Sequence, residues 1–210
     1  MNISVISFIL LLFSITSLDA TTHEFWEQKD EIKEPNKWQI QKSKSDITIT
    51  GQTANGLITI ITDPNYHTKE WRLEQPDKDR IVTAERRGNQ VYINSQEGRQ
   101  KETKVIEIDD KPWMQAPGLQ LNPFIKSDQS KQKIWTITNE TLKAHEMQFK
   151  KLNQDTKKIE VLMSPVGFGS FLWRGFLWFD RNDGYFLRYS GPSGGLNSPK
   201  TESYRIPVGR

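Results

Sequence analysis

Apolar residues recur at every second position along much of this chain, the period of a strand with one face on a core and one in water. Ile47 and Ile49 alternate with Asp46, Thr48 and Thr50, and Trp71 and Leu73 with Glu70, Arg72 and Glu74. Leu57–Thr62 is β-branched and apolar. Val91 and Ile93, residues 105–108, residues 134–137, and Ile159, Val161 and Met163 repeat the pattern. Between these runs stand Asn55-Gly56, Asp63-Pro64-Asn65, Pro76-Asp77, Gly88-Asn89, Glu97-Gly98 and Asp183-Gly184. These residues tolerate positive φ or pre-set a turn. In the first half they fall about every ten residues, the spacing of a meander of hairpins. The expectation is an all-β fold with minor α, about ten to twelve antiparallel strands forming an open barrel or curved sheet.

Composition narrows the function classes. None of the 210 residues is cysteine, which excludes a disulfide framework, a zinc–thiolate site, a Cys-ligated iron–sulfur cluster and a cysteine nucleophile. No cofactor is expected. The net charge is only +3, and basic residues interleave with acidic ones, as in Arg99, Lys101, Glu102, Lys104 and Glu107. That pattern reads as a solvated face and not as a nucleic-acid footprint. A mean hydropathy of −0.68 argues against a multi-span helical membrane protein, while seven tryptophans supply material for a core.

Residues 3–18 carry no charge but fall short of the ~20 that a helix needs to cross a bilayer. With Ala20 before Thr21, residues 1–20 read as a cleaved signal peptide, implying export to a periplasm or the exterior and no transmembrane span after cleavage. Residues 21–36 are polar, with Phe25, Trp26 and Ile32 as the large apolar exceptions. They read as an arm or a short amphipathic helix stopped by Pro35. Residues 37–210 read as one β-rich domain.

Two stretches break the rhythm. Residues 111–127 hold Pro112, Pro117 and Pro123, which rule out a long helix or a central strand. Trp113, Met114, Leu119, Leu121, Phe124 and Ile125 make the same stretch strongly apolar, so it reads as a short helical or Pro-rich plug for the sheet. In residues 140–152, Leu142, His145, Phe149 and Leu152 share helical spacing while Met147 and Phe149 share strand spacing. A helix and a bulged strand fit equally.

The strongest functional signal is residues 168–189. There, Phe171, Trp173, Leu177 and Phe179 lie on one strand face and Leu172, Phe176 and Trp178 on the other. A strand apolar on both faces must be covered on both. It is a central strand beneath the plug, or one face lines an apolar cavity, or one face meets a membrane. Arg174, inside this run, either reaches water at a sheet edge or meets an anionic head group at a cavity mouth. The candidate ligand-binding residues are Trp113, Phe124, Phe171, Trp173, Arg174, Phe176 and Trp178. No catalytic or metal set emerges. His23, His67 and His145 are isolated, and Asp109-Asp110 point to opposite sides of any strand. No serine sits in a G-x-S-x-G context, and no P-loop is present. Asp180–Gly184 lacks the glycine and closing glutamate of a calcium loop and reads as a hairpin turn.

The leader, the long meander and a late hairpin with Trp178, Asp183 and Gly184 followed by Leu187-Arg188-Tyr189 carry a resemblance. In this pattern the chain resembles exported bacterial open β-barrel proteins and, through shape, the periplasmic lipoprotein-carrier group. The resemblance implies a bent sheet and a plug around an apolar cavity, with residues 111–127 as the plug. The expected function is that of an exported, non-enzymatic binding protein for an apolar or lipid-like ligand in the cell envelope. The alternative is an envelope structural or interaction protein whose partner is another protein and which takes no small ligand. A hydrolase or a sugar-binding module fits less well.

Overall fold

A computed structural model describes residues 19–29, 32–53, 56–167, 173–192 and 200–206. Eight strands come first: β1 (Asp19–Lys29), β2 (Ile32–Lys42), β3 (Ile47–Thr53), β4 (Gly56–Thr62), β5 (Thr68–Gln75), β6 (Arg80–Arg87), β7 (Gln90–Glu97) and β8 (Gln100–Glu107). Two short helices follow, α1 (Pro117–Gln120) and α2 (Asn122–Lys126). Six more strands complete the fold: β9 (Lys131–Ile137), β10 (Ala144–Gln154), β11 (Lys158–Pro165), β12 (Gly175–Asp180), β13 (Phe186–Pro192) and β14 (Lys200–Arg205).

All fourteen strands lie in one unclosed antiparallel sheet, ordered β8-β7-β6-β5-β4-β3-β2-β1-β14-β13-β12-β11-β10-β9. Two meanders, β1–β8 and β9–β14, are thus joined where β1 pairs with β14 in the middle of the sheet. The architecture agrees with the all-β, open-barrel expectation.

Alternation sets the register. Ile40, Ile49, Ile60, Trp71, Ala84 and Ile93 oppose one another in a continuous cross-strand row, all buried. A one-residue slip would turn that whole row to water. Burying each large member stabilises the fold by roughly 1.5–3 kcal/mol. In the other meander, Val161 opposes Leu177 and Ile159 opposes Phe179, again buried.

Residues 111–127 do form the plug. Trp113 is fully buried in the core of the first meander, while Met114, Leu121, Phe124 and Ile125 belong to the core of the second. Both helices place a proline in their first turn, where its missing N–H costs nothing. Backbone bonds tie the plug to both meanders: Thr68 N–H donates to the Trp113 carbonyl (2.7 Å) and Met114 N–H to that of Trp135 (2.9 Å). Arg86 holds its entry, with Nη1 on the Lys111 carbonyl (2.8 Å) and Nη2 on that of Asp109 (2.9 Å). Lys151 holds its exit, with Nζ on the carbonyls of Ile125 (3.1 Å) and Ser127 (2.6 Å). Gln120 is fully buried and fully used. Its Nε2 donates to the Tyr66 carbonyl and Thr68 Oγ1, and its Oε1 accepts from Ala116 N–H.

One reading needs correction, and one pair of alternatives resolves. Residues 21–36 are no arm: they form most of β1 and the start of β2 at the centre of the sheet. Their inward positions His23, Phe25 and Asn36 are buried but mix polar with apolar, which conceals the period. The ambiguous stretch at 140–152 resolves as β10, whose register shifts between Lys151 and Gln154. The predicted leader 1–20 lies outside the described residues except for Asp19 and Ala20, which begin β1.

Candidate functional site

Between the two cores, beside α1, lies a partly open cavity of about 310 Å³. It sits toward the end of the sheet where β3 runs into β4 and β5 into β6. Phe25 opposes Asn36 across the β1–β2 ladder, and both line it. The next inward row runs Trp38, Gly51, Ile58, Leu73, and its three side chains form the apolar wall. Gly51 has a structural reason: a Cβ there would overlap the Trp38 indole, so only glycine lets the ring lie flat on β3. Leu119 of α1 and Phe186 of β13 cover the other side.

The polar lining consists of Asn36, Thr53, Asn139 and Ser203. Among the described residues that line the cavity none is charged, in a chain where 26% of residues are. The buried cation nearest to this wall in the hydrogen-bond network, Arg80, is already engaged. Its Nη1 donates to Gln75 Oε1 (2.9 Å), its Nη2 to the Asn139 carbonyl (2.6 Å), and its Nε lies 3.8 Å from Glu97. Asn139 Oδ1 in turn accepts from Gln115 Nε2 (3.1 Å). Two larger depressions, of about 470 and 510 Å³, lie on the outer strand faces, near Arg72 and Tyr92 and near Pro35 and Gln52.

The predicted ligand residues are distributed differently. Trp113 and Phe124 are core residues of the plug, buried on opposite meanders. Trp173 packs against the second core, and Arg174 is exposed. Phe171 lies outside the described residues. On β12 the predicted alternation is present: Leu177 and Phe179 point into the core, and Phe176 and Trp178 point outward. The outward pair stacks at 6.3 Å between ring centroids, and the Arg188 guanidinium lies 5.1 Å from the Trp178 ring. None of the described members of this set lines the cavity.

Sequence reasoning missed the residues that do. Asn36, Trp38 and Thr53 come from the β2–β3 hairpin and Ser203 from β14, about 150 residues later, and composition assigned the first of them to an arm. One signal was available: Asn36, Trp38 and Ile40 alternate with Pro35, Lys37 and Gln39. The β2–β3 ladder starts at Lys37, just beyond Pro35, which has no N–H to give.

Comparison with known proteins finds no matching family model and no matching curated protein. Two solved structures are similar in outline. One is a beta-barrel-like protein of the domain of unknown function DUF1849 from Brucella abortus (7% identity, 88% of this chain and 95% of that one, TM-score 0.46). The other is a DUF1329 family protein from Desulfovibrio piger (10% identity, 93% and 88%, TM-score 0.26).

Titratable groups have structural roles. His23 is buried against the Tyr185 ring (4.6 Å), with no hydrogen-bond partner for its Nε2. Burial, with help from the positive charges of Arg205 and Lys42, pushes its pKa down to about 4. Asp109 accepts from Trp135 Nε1 (2.7 Å) and pairs with Lys111, which holds its carboxyl at about 2. His67 pairs with Asp63 (3.2 Å), and His145 is exposed. Among the described residues no three His, Asp or Glu side chains are grouped so as to hold a metal, and no helix is long and apolar enough to cross a membrane.

Proposed function

We propose that this protein, once exported, is a non-enzymatic binder of a small apolar or lipid-like molecule of the cell envelope. The observation that carries the reading is the cavity between the cores. At about 310 Å³ it lies at the lower end of the range for small-molecule sites. Its walls combine an aromatic and aliphatic surface with a few polar groups, the usual make-up of such a site. Export is supported by the uncharged run at residues 3–18.

The test is native mass spectrometry of protein purified from its own host compartment, beside a Ser203→Phe variant that fills the cavity from β14. A discrete added mass that extracts into organic solvent, and that the variant lacks, supports the reading. A bare wild-type mass, or an added mass that Ser203→Phe retains, counts against it.

A second reading, an envelope interaction protein, is favoured by the stacked Phe176 and Trp178 on the outer face. Aromatic anchors of that kind dominate many interfaces. Replacing both with serine would abolish cross-linking to a partner and leave any cavity ligand in place.

A further inference from the structure

We infer that the outer face of the sheet over the β1–β14 seam holds an extended, uncharged glycan chain, laid across the strands. This rests on the second reading above, names the partner it leaves open, and is independent of the cavity.

One cross-strand row carries the inference. Trp178 opposes Arg188, Arg188 opposes Tyr204, Tyr204 opposes Trp26, and Trp26 opposes Pro35. Their chain neighbours Leu177 and Phe25 lie in the core and Ser203 lines the cavity, so the row faces outward. Trp178, Tyr204 and Trp26 are each partly exposed. The row crosses five strands, from β12 to β2, a span of about 19 Å at the usual strand spacing. Outward rows of the first meander are polar instead, as in Thr50, Thr59, Arg72, Thr83 and Asn94.

The chemistry of the row fits a sugar chain. A pyranose ring carries C–H groups on its faces and hydroxyls around its edge. Trp and Tyr answer both, with an apolar ring face and a polar tip. Between the rings stands Arg188, its guanidinium 5.1 Å from the Trp178 ring and its Nη2 3.0 Å from Glu202. Guanidinium and carboxylate are planar groups that each engage two neighbouring hydroxyls at once. Charge weighs against a bilayer. Glu160 opposes Trp178, Glu202 flanks Arg188, and Glu24 shares the outer face of β1 with Trp26. These carboxylates repel anionic lipid and accept hydrogen bonds from a neutral polyol. Shape weighs against a protein partner, whose anchors cluster at the centre of a contact, whereas these lie in a line.

Isothermal titration of the full chain with cellohexaose, chitohexaose and the matching disaccharides reads the row. At least one hexaose is expected to bind, at least about tenfold more tightly than its disaccharide, because only the longer chain reaches several rings. Raised salt is expected to leave this binding almost unchanged. Trp178→Ala and Trp26→Ala, on either side of Tyr204, are each expected to weaken the hexaose by about tenfold. Tyr204→Ala serves if Trp26→Ala does not fold. A hexaose that binds no better than its disaccharide, or that neither substitution weakens, overturns the inference. Absence of binding overturns it too, and two further measurements then locate the fault. A protein that cross-links to the wild type, but not to the chain with Phe176 and Trp178 replaced by serine, leaves the second reading standing. Sedimentation with phosphatidylethanolamine–phosphatidylglycerol vesicles, lost in the same variant, gives the face to a membrane. If neither is seen, the second reading falls with the inference.

Discussion

The Arg80 guanidinium donates from Nη2 to the backbone carbonyl of Asn139 at 2.6 Å, joining the start of β6 to the β9–β10 turn across two meanders that share no ladder there. Lys104 on β8 makes the same kind of bridge, from Nζ to the Leu142 carbonyl at 2.9 Å. The two meanders are therefore tied to each other, away from their shared seam, by side chains reaching to backbone. Arg80 is 7% exposed, so its loss leaves buried acceptors unpaired. Arg80→Met is expected to cost about 3 kcal/mol in denaturant unfolding, and Arg80→Lys to recover only part, since one ammonium does not reproduce the fork.

His23 gives stability a pH dependence. Its pKa is near 6.5 when unfolded and about 4 when folded, so between those values the unfolded chain binds the extra proton. Stability is complete above about pH 6.5 and falls as pH drops toward 4, by at most about 3 kcal/mol. Arg205 and Lys42 add repulsion to the charged ring, and Asp183 offsets it in part. His23→Phe is expected to flatten this window in pH-dependent chemical denaturation. A second loss lies lower, as pH falls from about 3.8 through 2 and Asp109 takes up its proton. A profile equally steep between pH 6.5 and 4 in the variant would remove His23 as the cause.

Much of the fold was legible because the period-two residues are those that become core: Ile47, Ile49, Trp71, Leu73, Ile159 and Val161 are all buried. The three prolines of residues 111–127 likewise marked the plug. The hidden part has a common cause. Where a strand lines a cavity, its inward positions are no longer uniformly apolar, so Asn36, Thr53 and Ser203 break the pattern at the site itself, and buried His23 breaks it on the same strand as Phe25. The apolar strand β12 drew attention instead, yet hydrophobicity alone does not say which face turns inward. That is fixed by register with β11 and β13, through Val161–Leu177 and Leu177–Tyr189.

Lys151 tests how the plug is held. Its ammonium is buried, caps the last carbonyls of α2 and lies 4.8 Å from the Phe124 ring. Lys151→Met keeps the bulk and removes the cap, at an expected cost of about 1–3 kcal/mol. Hydrogen exchange at Ile125 and Ser127 should accelerate ahead of the strand amides. Uniform acceleration through β10 would mean that the lysine supports the strand and not the plug.

Gly51→Ala links packing to binding. The added methyl overlaps the Trp38 indole and drives it off β3 toward the cavity. The expected penalty is about 1–3 kcal/mol, with weaker binding of any cavity ligand and a shift in tryptophan emission. Unchanged emission with full binding would show that the ring has room to move elsewhere.

The pairing of β1 with β14 also sets an order of events. Phe25 and Arg205 are register partners across most of the chain's length, whereas every other ladder joins strands adjacent in sequence. Hairpins close within microseconds, so each half-sheet is able to assemble from local contacts alone. The seam requires the longest loop closure in the molecule. Of the fourteen strands, β14 is made last. Until it arrives, the inner edge of β1 is an unpaired strand next to half-formed apolar surface, the kind of edge on which chains pair with one another. The seam between the two meanders is thus an added point of exposure to aggregation during synthesis, beside the outer edges β8 and β9, and one that a chaperone would protect.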